Sequence, residues 1–122
     1  MAGAPVHMEF PAEDIERSKA FWNGLFGWEF GDPAMPDMDY RMAKVSESCG
    51  VAIFEQEERG HPNVYLDTDD IDAAMERARE LGGSAEEKAP VPGHGWFARC
   101  QDSEGNAFHL WQSDESAAPA SD

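Results

Sequence analysis

The residues of this chain best suited to chemistry stand at alternate positions of four short segments with strand character. Side chains alternate across a strand, so each segment presents one set of residues to each face. One set mixes ionisable, amide and aromatic groups, which line ligand clefts. Histidine and carboxylate groups can transfer protons or bind metals, and rings can stack on a ligand. The set comprises His7, Glu9, Ile53, Glu55, Asn63, Tyr65, His109 and Trp111.

The opposite set of side chains in the same four segments is wholly apolar. We assign it to the core beneath the helices, whereas the alternative for the polar set is a plain sheet surface facing solvent. The apolar set comprises Met8, Phe10, Ala52, Phe54, Val64, Leu66, Phe108 and Leu110.

An internal repeat organises the elements that must position these residues. Shifted by 56 residues, positions 7–55 align with 63–111 without a gap, so that Asp14 and Gly27 meet Asp70 and Gly83. Acidic residues at a helix start and glycine at its end favour helices at about 13–26 and 70–82. The strands are expected near 5–10, 28–31, 39–45 and 49–55 in the first half, and near 63–68, 84–88, 95–101 and 106–112 in the second.

Helical spacing predicts which residues each helix buries. The first helix is expected to bury Ile15, Trp22, Leu25 and Phe26, and the second Ile71, Ala74, Met75, Ala78 and Leu81. The fold class is therefore α+β, with two tandem βαβββ modules at about 5–56 and 61–112. They form a single domain over residues 1–112, and residues 113–122 are expected to be a disordered acidic tail.

Composition limits the partners and the setting. The chain has 25 Asp and Glu against 9 Lys and Arg, a net charge of -16. Such a surface repels nucleic acid and anionic membranes. Many carboxylates with few lysines and few large aliphatics favour a halophilic protein, with an ordinary acidic protein as the alternative. There is no membrane-spanning run or secretory signal, and Cys49 and Cys100 lack framework spacing, so we expect the reducing cytoplasm.

The repeat and three motifs together resemble the glyoxalase/bleomycin-resistance group of the vicinal oxygen chelate superfamily. The motifs are 21–28 (FWNGLFGW), 66–72 (LDTDDID) and 102–111 (DSEGNAFHLW), and 92–98 (PGHGWFA) resembles a glyoxalase-like branch. The resemblance covers nearly the whole chain except the tail. It implies a curved mixed sheet around a cleft that binds a small molecule.

The resemblance also implies a divalent metal (Zn, Ni, Mn or Fe) held by one ligand from each of four strands. Carried over by motif, the ligand positions are His7, Asn63 and His109, and the repeat makes Ile53 the fourth. Isoleucine cannot bind a metal and Asn is a poor ligand, so Glu9 or Glu55 would have to complete the set. The alternative is two cleft histidines bonded to Glu9, Tyr65 or water. His61 and His94 are expected to be solvated loop residues.

Two functions follow from this reading. One is a metal-dependent lyase, isomerase or dioxygenase of glyoxalase type, acting on a dicarbonyl, hemithioacetal or diol with Glu9 or Glu55 as base. The other is a metal-free binding protein that sequesters an aromatic or cationic molecule. Trp96, Phe97 and Trp111, with Tyr65, would contact the ligand; the first three could instead pack at a dimer interface. The resemblance favours a homodimer, which would also cover exposed sheet edges.

Overall fold

The computed structural model describes residues 2–57 and 60–119. The chain forms two compact units, one spanning Val6–Val64 and the other containing the rest of the described chain, including the N-terminal residues up to Pro5. Each unit contains one helix packed on strands. The predicted α+β class of tandem strand–helix–strand modules is confirmed.

The Val6–Val64 unit is built from β1 (Pro5–Ala12), α1 (Ile15–Phe26), β2 (Tyr40–Lys44) and β3 (Gly50–Glu55). Strand β3 lies in the middle, parallel to β1 and antiparallel to β2. The side chain of Asp14 caps the start of α1 by accepting from the Arg17 amide, and Gly27 ends it with φ of 74°. Both capping predictions therefore hold. The Asp14 carboxylate satisfies an amide in the first turn, and glycine adopts the left-handed conformation at the helix end without the steric cost of a side chain.

The predicted strand at 28–31 does not form. Within the described chain this segment makes one backbone hydrogen bond to β2, from the Gly31 amide to the Met42 carbonyl at 3.0 Å. It instead carries Trp28, which stacks on Trp22 at 5.0 Å, and Phe30, which is buried in the core.

The prediction that α1 buries Leu25 and Phe26 is wrong. These side chains are 56% and 61% exposed, whereas Ile15 is buried and Trp22 packs against the core. Trp28 folds back onto Trp22 and closes the core beside the end of the helix. Leu81, expected to be buried on the second helix, lies just past the end of that helix and is likewise 63% exposed.

The other unit contains β4 (Asn63–Asp67), α2 (Ile71–Glu80), β5 (Ser84–Ala85), β6 (Ala89–Val91), β7 (Gly95–Gln101) and β8 (Ala107–Ser113). Strand β8 pairs parallel to β4 and antiparallel to β7, and both β5 and β6 pair with β7. The strand expected over 84–88 is thus limited to two residues, and β6 was not predicted. The core of this unit comprises Ile71, Met75, Ala98, Cys100 and Leu110.

The chain after β8 stays attached to this unit further than expected. Ser113 is still in β8, the Asp114 amide donates to His94, and the Gly93 amide donates to the carbonyl of Ala117. Ala117 is only 4% exposed. The prediction of a disordered tail therefore does not hold for residues 113–117, and residues 120–122 lie outside the described residues.

The two modules are related by a repeat that is not gapless. In the first, Glu9 pairs with Ala52, and in the second Tyr65 pairs with His109. Glu9 and Tyr65 are 56 positions apart, but Ala52 and His109 are 57 apart. The second module therefore has one extra residue between its first and last strands. Because strand side chains alternate, a slip of one residue moves every side chain to the other face.

This slip corrects the faces predicted for β3. Ile53 is completely buried in the core with Val51 and Ile15, instead of facing the ligand side. Ala52 and Phe54, which were predicted to be core residues beneath the helix, lie on the face that carries Glu9. The predicted phase for β8 is correct, since Leu110 belongs to the core cluster and Phe108 packs against it.

Candidate functional site

A polar network occupies the face of the Val6–Val64 unit opposite α1. Strand β1 places His7 and Glu9 two residues apart, so both point to this face. The Tyr40 hydroxyl lies 2.7 Å from His7 Nε2 and donates to Glu9 Oε2 at 2.5 Å. The side-chain amide of Asn63 donates to the other carboxylate oxygen, Glu9 Oε1, at 3.1 Å. Two of the three predicted metal ligands, His7 and Asn63, thus lie in one network with the predicted base Glu9.

The direction of these hydrogen bonds assigns the protons. Because the Tyr40 hydroxyl gives its proton to Glu9, its oxygen accepts from His7, which places a proton on Nε2. Burial lowers the pKa of His7, while the nearby charge of Glu9 opposes that shift. The neutral imidazole is therefore favoured, with Nδ1 as its acceptor nitrogen. A Cβ at Gly50 would come within 3.3 Å of that nitrogen, so the glycine allows close approach of β3.

An aromatic cluster occupies the corresponding face of the other unit. The rings of Tyr65 on β4 and His109 on β8 stack at 4.5 Å between centroids, as their pairing in the parallel register requires. Phe97 on β7 lies 6.3 Å from His109 and 6.4 Å from Tyr65. His109 is 3% exposed, whereas Tyr65 and Phe97 are partly exposed. The rings cover His109 and leave an apolar surface around it.

Trp111 extends this aromatic face along β8. It pairs with Phe97 across the antiparallel ladder, and its indole N–H donates to the Ser113 hydroxyl at 3.1 Å. A Cβ at Gly95 would come within 2.6 Å of the indole ring. The Trp111 ring therefore lies close against Gly95 and remains partly exposed.

Trp96 does not join that face. Adjacent strand residues point to opposite sides, so Trp96 packs against the α2 core while Phe97 faces away from it. Its indole donates to Asp114 at 3.0 Å, and Lys88 lies 4.6 Å above its ring. The Trp96 ring packs beside the α2 core and bonds to the segment after β8, so its predicted ligand contact stays a prediction.

Glu55 does not share the face of Glu9. It is exposed at the end of β3, and alternation from Phe54 points its side chain to the face opposite Glu9. His61 and His94 are exposed loop residues, as the sequence indicated.

Tyr40 is the site residue that sequence reasoning missed. It is 7% exposed and pairs with Phe54 across the antiparallel ladder, which brings it to the Glu9 face. The sequence did offer a signal, namely a tyrosine at the start of a predicted strand. A tyrosine that is buried there needs a hydrogen-bond partner for its hydroxyl, and that partner would have pointed to the site. Finding that partner required the correct phase of β3.

The residues present do not fit the four-ligand metal centre that the resemblance implies. The fourth ligand position falls on Ala52 in the Val6–Val64 unit, and alanine has no atom that can bind a metal. The Asn63 side chain donates its amide nitrogen to Glu9, and its amide oxygen is a poor ligand for a transition metal. His7 Nε2 is occupied by Tyr40. Over residues 2–57 and 60–119, no three His, Cys, Asp or Glu side chains come together as metal ligands require.

Comparison with known proteins agrees with the modules described above. The sequence profile of the Glyoxalase-like domain family matches residues 6–111. The CFP32 protein of Mycobacterium bovis, provisionally named a glyoxylase, is 28% identical over 120 residues, which cover 91% of this chain and 46% of that protein. A glyoxylase-like domain-containing protein of Didymella fabae is 27% identical over 84 residues, covering 62% of this chain and 66% of its own length.

Solved structures show the same fold at low sequence identity. A methylmalonyl-CoA epimerase of Streptomyces coelicolor, in complex with 2-nitronate-propionyl-CoA, has a TM-score of 0.73 at 15% identity, covering 98% of this chain and 100% of that one. A glyoxalase/bleomycin resistance protein/dioxygenase superfamily member from Vibrio splendidus has a TM-score of 0.69 at 19% identity, covering 91% and 99%.

The chain belongs to the Glyoxalase-like domain family and hence to the vicinal oxygen chelate superfamily, as its motifs predicted. It spans about half the length of the mycobacterial relatives that it matches. Among the described residues no helix is long and apolar enough to cross a membrane.

Proposed function

We propose that this chain binds a small molecule without a resident metal. The observation that carries the proposal is the hydrogen-bonded network of His7, Tyr40, Glu9 and Asn63. Its groups are hydrogen-bonded to one another. To ligate a metal through Nε2, His7 would have to give up Tyr40, and Glu9 would have to exchange a neutral donor for the ion. Either change leaves a buried polar group to be satisfied elsewhere, which costs about 1–3 kcal/mol.

Each unit's face suggests its own chemical class of ligand. Glu9 accepts hydrogen bonds from two neutral donors, Tyr40 and Asn63, and a carboxyl group so placed suits a cation or a hydrogen-bond donor. The partly exposed rings of Tyr65, Phe97 and Trp111 suit a flat apolar or aromatic body.

The test compares one aromatic cation with one metal. Ethidium binding is followed by its fluorescence, and Zn²⁺ binding by calorimetry, on protein purified without chelator. We expect ethidium to bind, Glu9→Gln to weaken it about tenfold, and Glu55→Gln, on the opposite face, to leave it unchanged. Stoichiometric Zn²⁺, Ni²⁺, Mn²⁺ or Fe²⁺ that is lost in His7→Ala would contradict the proposal and restore a metal-dependent role for His7, Asn63 and His109.

A second candidate is an enzyme that moves a proton. Glu9 is only 12% exposed, and Tyr40 links it to His7 in a chain along which a proton could travel. Several structural neighbours are methylmalonyl-CoA epimerases. Here Glu9 would remove a proton from the carbon beside a thioester carbonyl, and a solvent proton would return to that carbon.

Proton exchange separates the two candidates. Methylmalonyl-CoA is incubated with the protein in deuterated water and its mass is followed. Deuterium uptake that Glu9→Gln abolishes and Glu55→Gln leaves intact would establish catalysis and replace the pure binding role. Dicarbonyl, hemithioacetal and diol substrates of glyoxalase type are tested in the same way, by loss of activity in the Glu9 variant.

The cellular setting is a separate proposal from composition. The described chain holds both cysteines as free thiols, and a reducing cytoplasm keeps them so. The net charge of -16 supports adaptation to strong salt. Equal stability and solubility with and without molar KCl would contradict that adaptation.

A further inference from the structure

A guanidinium group lies beside the aromatic cluster in the unit that contains α2. Arg99 on β7 pairs with His109 on β8 across the antiparallel ladder. Residues that pair directly across two strands share a face, and alternate residues along one strand share it too. Arg99 therefore stands on the face that carries Phe97, whereas its two chain neighbours, Ala98 and Cys100, belong to the core on the other side.

The fold itself uses the Arg99 side chain only weakly. Arg99 Nε lies 3.8 Å from Oε2 of Glu86, and the two side chains are 65% and 69% exposed. An exposed ion pair at this distance contributes little to stability. A planar guanidinium binds a carboxylate best through two parallel N–H bonds, and a ligand acid could form these in place of the long contact with Glu86.

The surface next to Arg99 is aromatic. Phe97 precedes it by two residues on β7, and Trp111 on β8 pairs with Phe97 across the ladder. Both rings are partly exposed. Neighbouring strands lie about 4.8 Å apart, and alternate residues along a strand about 6.7 Å apart. A flat molecule that rests on these two rings therefore has its edge within reach of the Arg99 side chain.

The opposite corner of this face carries an acidic side chain. Asp67 on β4 pairs with Trp111 on β8, which places it diagonally across the face from Arg99. An acidic group of a ligand is repelled at the Asp67 corner and attracted at the Arg99 corner. The face can therefore distinguish the two ends of a flat ligand.

We infer that this face binds a planar aromatic carboxylate, with its ring on Phe97 and Trp111 and its carboxylate on the guanidinium of Arg99. The inference rests on the proposed contact between these rings and a ligand, and it goes further by naming the charged group of that ligand. The net charge of -16 repels anions at long range, so affinity for an acid has to come from a local cation.

Calorimetric titration of the full chain at one KCl concentration compares 2-naphthoate with 2-naphthamide, a neutral molecule with the same rings. The wild type should bind 2-naphthoate about tenfold more tightly. Arg99→Gln should remove this preference and leave the affinity for 2-naphthamide unchanged. Arg77→Gln is the matched control and should keep the preference. Arg77 is 64% exposed and lies 3.6 Å from Glu80, but it is on α2, across the core from this face.

Trp111→Ala separates this inference from the proposed aromatic contact. It should weaken the binding of both probes by a similar factor, because it removes ring surface that both use. If the wild type binds the two probes equally, or if Arg99→Gln and Arg77→Gln have equal effects, the carboxylate assignment is overturned and the aromatic contact stands. If neither probe binds, or if Trp111→Ala changes the affinity for neither, both are overturned.

Discussion

The two modules use the same pair of parallel strands for different surfaces. Where β1 meets β3, Glu9 stands beside the small Ala52, and the space is filled by Tyr40 and Asn63, which bond to the carboxylate. Where β4 meets β8, the equivalent pair is Tyr65 and His109, and ring stacks on ring. The two modules therefore repeat the same strand pairing, but the side chains on it make hydrogen bonds in the first module and ring stacking contacts in the second.

The core faces of the same strands differ far less. Val51 and Ile53 occupy in one module the places that Phe108 and Leu110 occupy in the other, each beneath an isoleucine that starts the helix. A core position demands an apolar side chain of suitable volume, whichever module it is in. The opposite face carries no such demand, so it could diverge into two kinds of surface.

The largest expected effect tests which face of β3 is buried. Ile53→Glu places a carboxylate in the core and should lower the free energy of unfolding by about 4 kcal/mol or more. Met42→Glu on the neighbouring strand, where Met42 is 48% exposed, should change it by less than about 0.5 kcal/mol. Chemical denaturation in constant KCl measures both. A stable Ile53→Glu protein would show that Ile53 faces the ligand side after all.

Much of the fold was predictable because its signals are local. Asp14 and Gly27 mark the ends of α1 through capping and backbone conformation, and both act within a few residues. The alternation along β8 likewise placed His109 and Leu110 on the correct faces. The strand expected at 28–31 was predicted wrongly, because the apolar residues there pack against Trp22 and the core and do not pair with a neighbouring strand.

The site was less predictable because it depends on one residue of register. The gapless repeat made Ile53 the partner position of His109, and no local signal marks the extra residue in the second module. A slip of one is enough to exchange Ile53 with Ala52 and to remove Glu55 from the site. Tyr40 then went unnoticed, since its partners became neighbours only in the true register.

A second prediction separates the two faces of β7. Trp96→Ala removes a ring that packs on the α2 core and bonds to Asp114, so it should cost about 3–5 kcal/mol of unfolding free energy. Phe97→Ala removes a partly exposed ring, so it should cost less stability and should weaken the binding of ethidium to the aromatic face of its own unit.

The readouts are thermal unfolding for both variants and ethidium fluorescence for whichever remains folded. Their neighbouring positions make them matched controls for each other. A Trp96→Ala protein that is fully stable but no longer binds would return Trp96 to the ligand face.

A third prediction converts the first module toward the second. Ala52 is the structural counterpart of His109 and faces the same side as His7 and Glu9. Ala52→His should therefore add a nitrogen donor beside Glu9 and raise Ni²⁺ or Zn²⁺ affinity by about tenfold over the wild type, or about 1.4 kcal/mol.

Calorimetric titration of Ni²⁺ measures this gain, with circular dichroism to show that the variant is folded. Adding His7→Ala to the variant is the control, and it should remove the gain because both imidazoles are needed. An equal gain in the double variant would mean that the new histidine binds metal without the His7 face.

The smallest expected effect concerns the charge state of His7. Burial holds its pKa below the value of 6.5 that it has when unfolded, so the unfolded chain binds the extra proton first as pH falls. The contribution of His7 to the free energy of unfolding is therefore fully present above about pH 6.5, and it is lost as the pH falls from there to the lower pKa of the folded state. Carboxylates that begin to protonate near the end of this range affect the wild type and a His7→Gln variant alike, so the difference between the two isolates His7.

Urea unfolding between about pH 7.5 and 5.5 should show the decline in the wild type and in His61→Gln, where the changed histidine is exposed, but not in His7→Gln. If the wild type instead gains stability on acidification relative to His7→Gln, His7 is charged in the folded protein and pairs with Glu9 as an ion. The network in the Val6–Val64 unit would then contain an ion pair between His7 and Glu9, where we assign hydrogen bonds from a neutral imidazole.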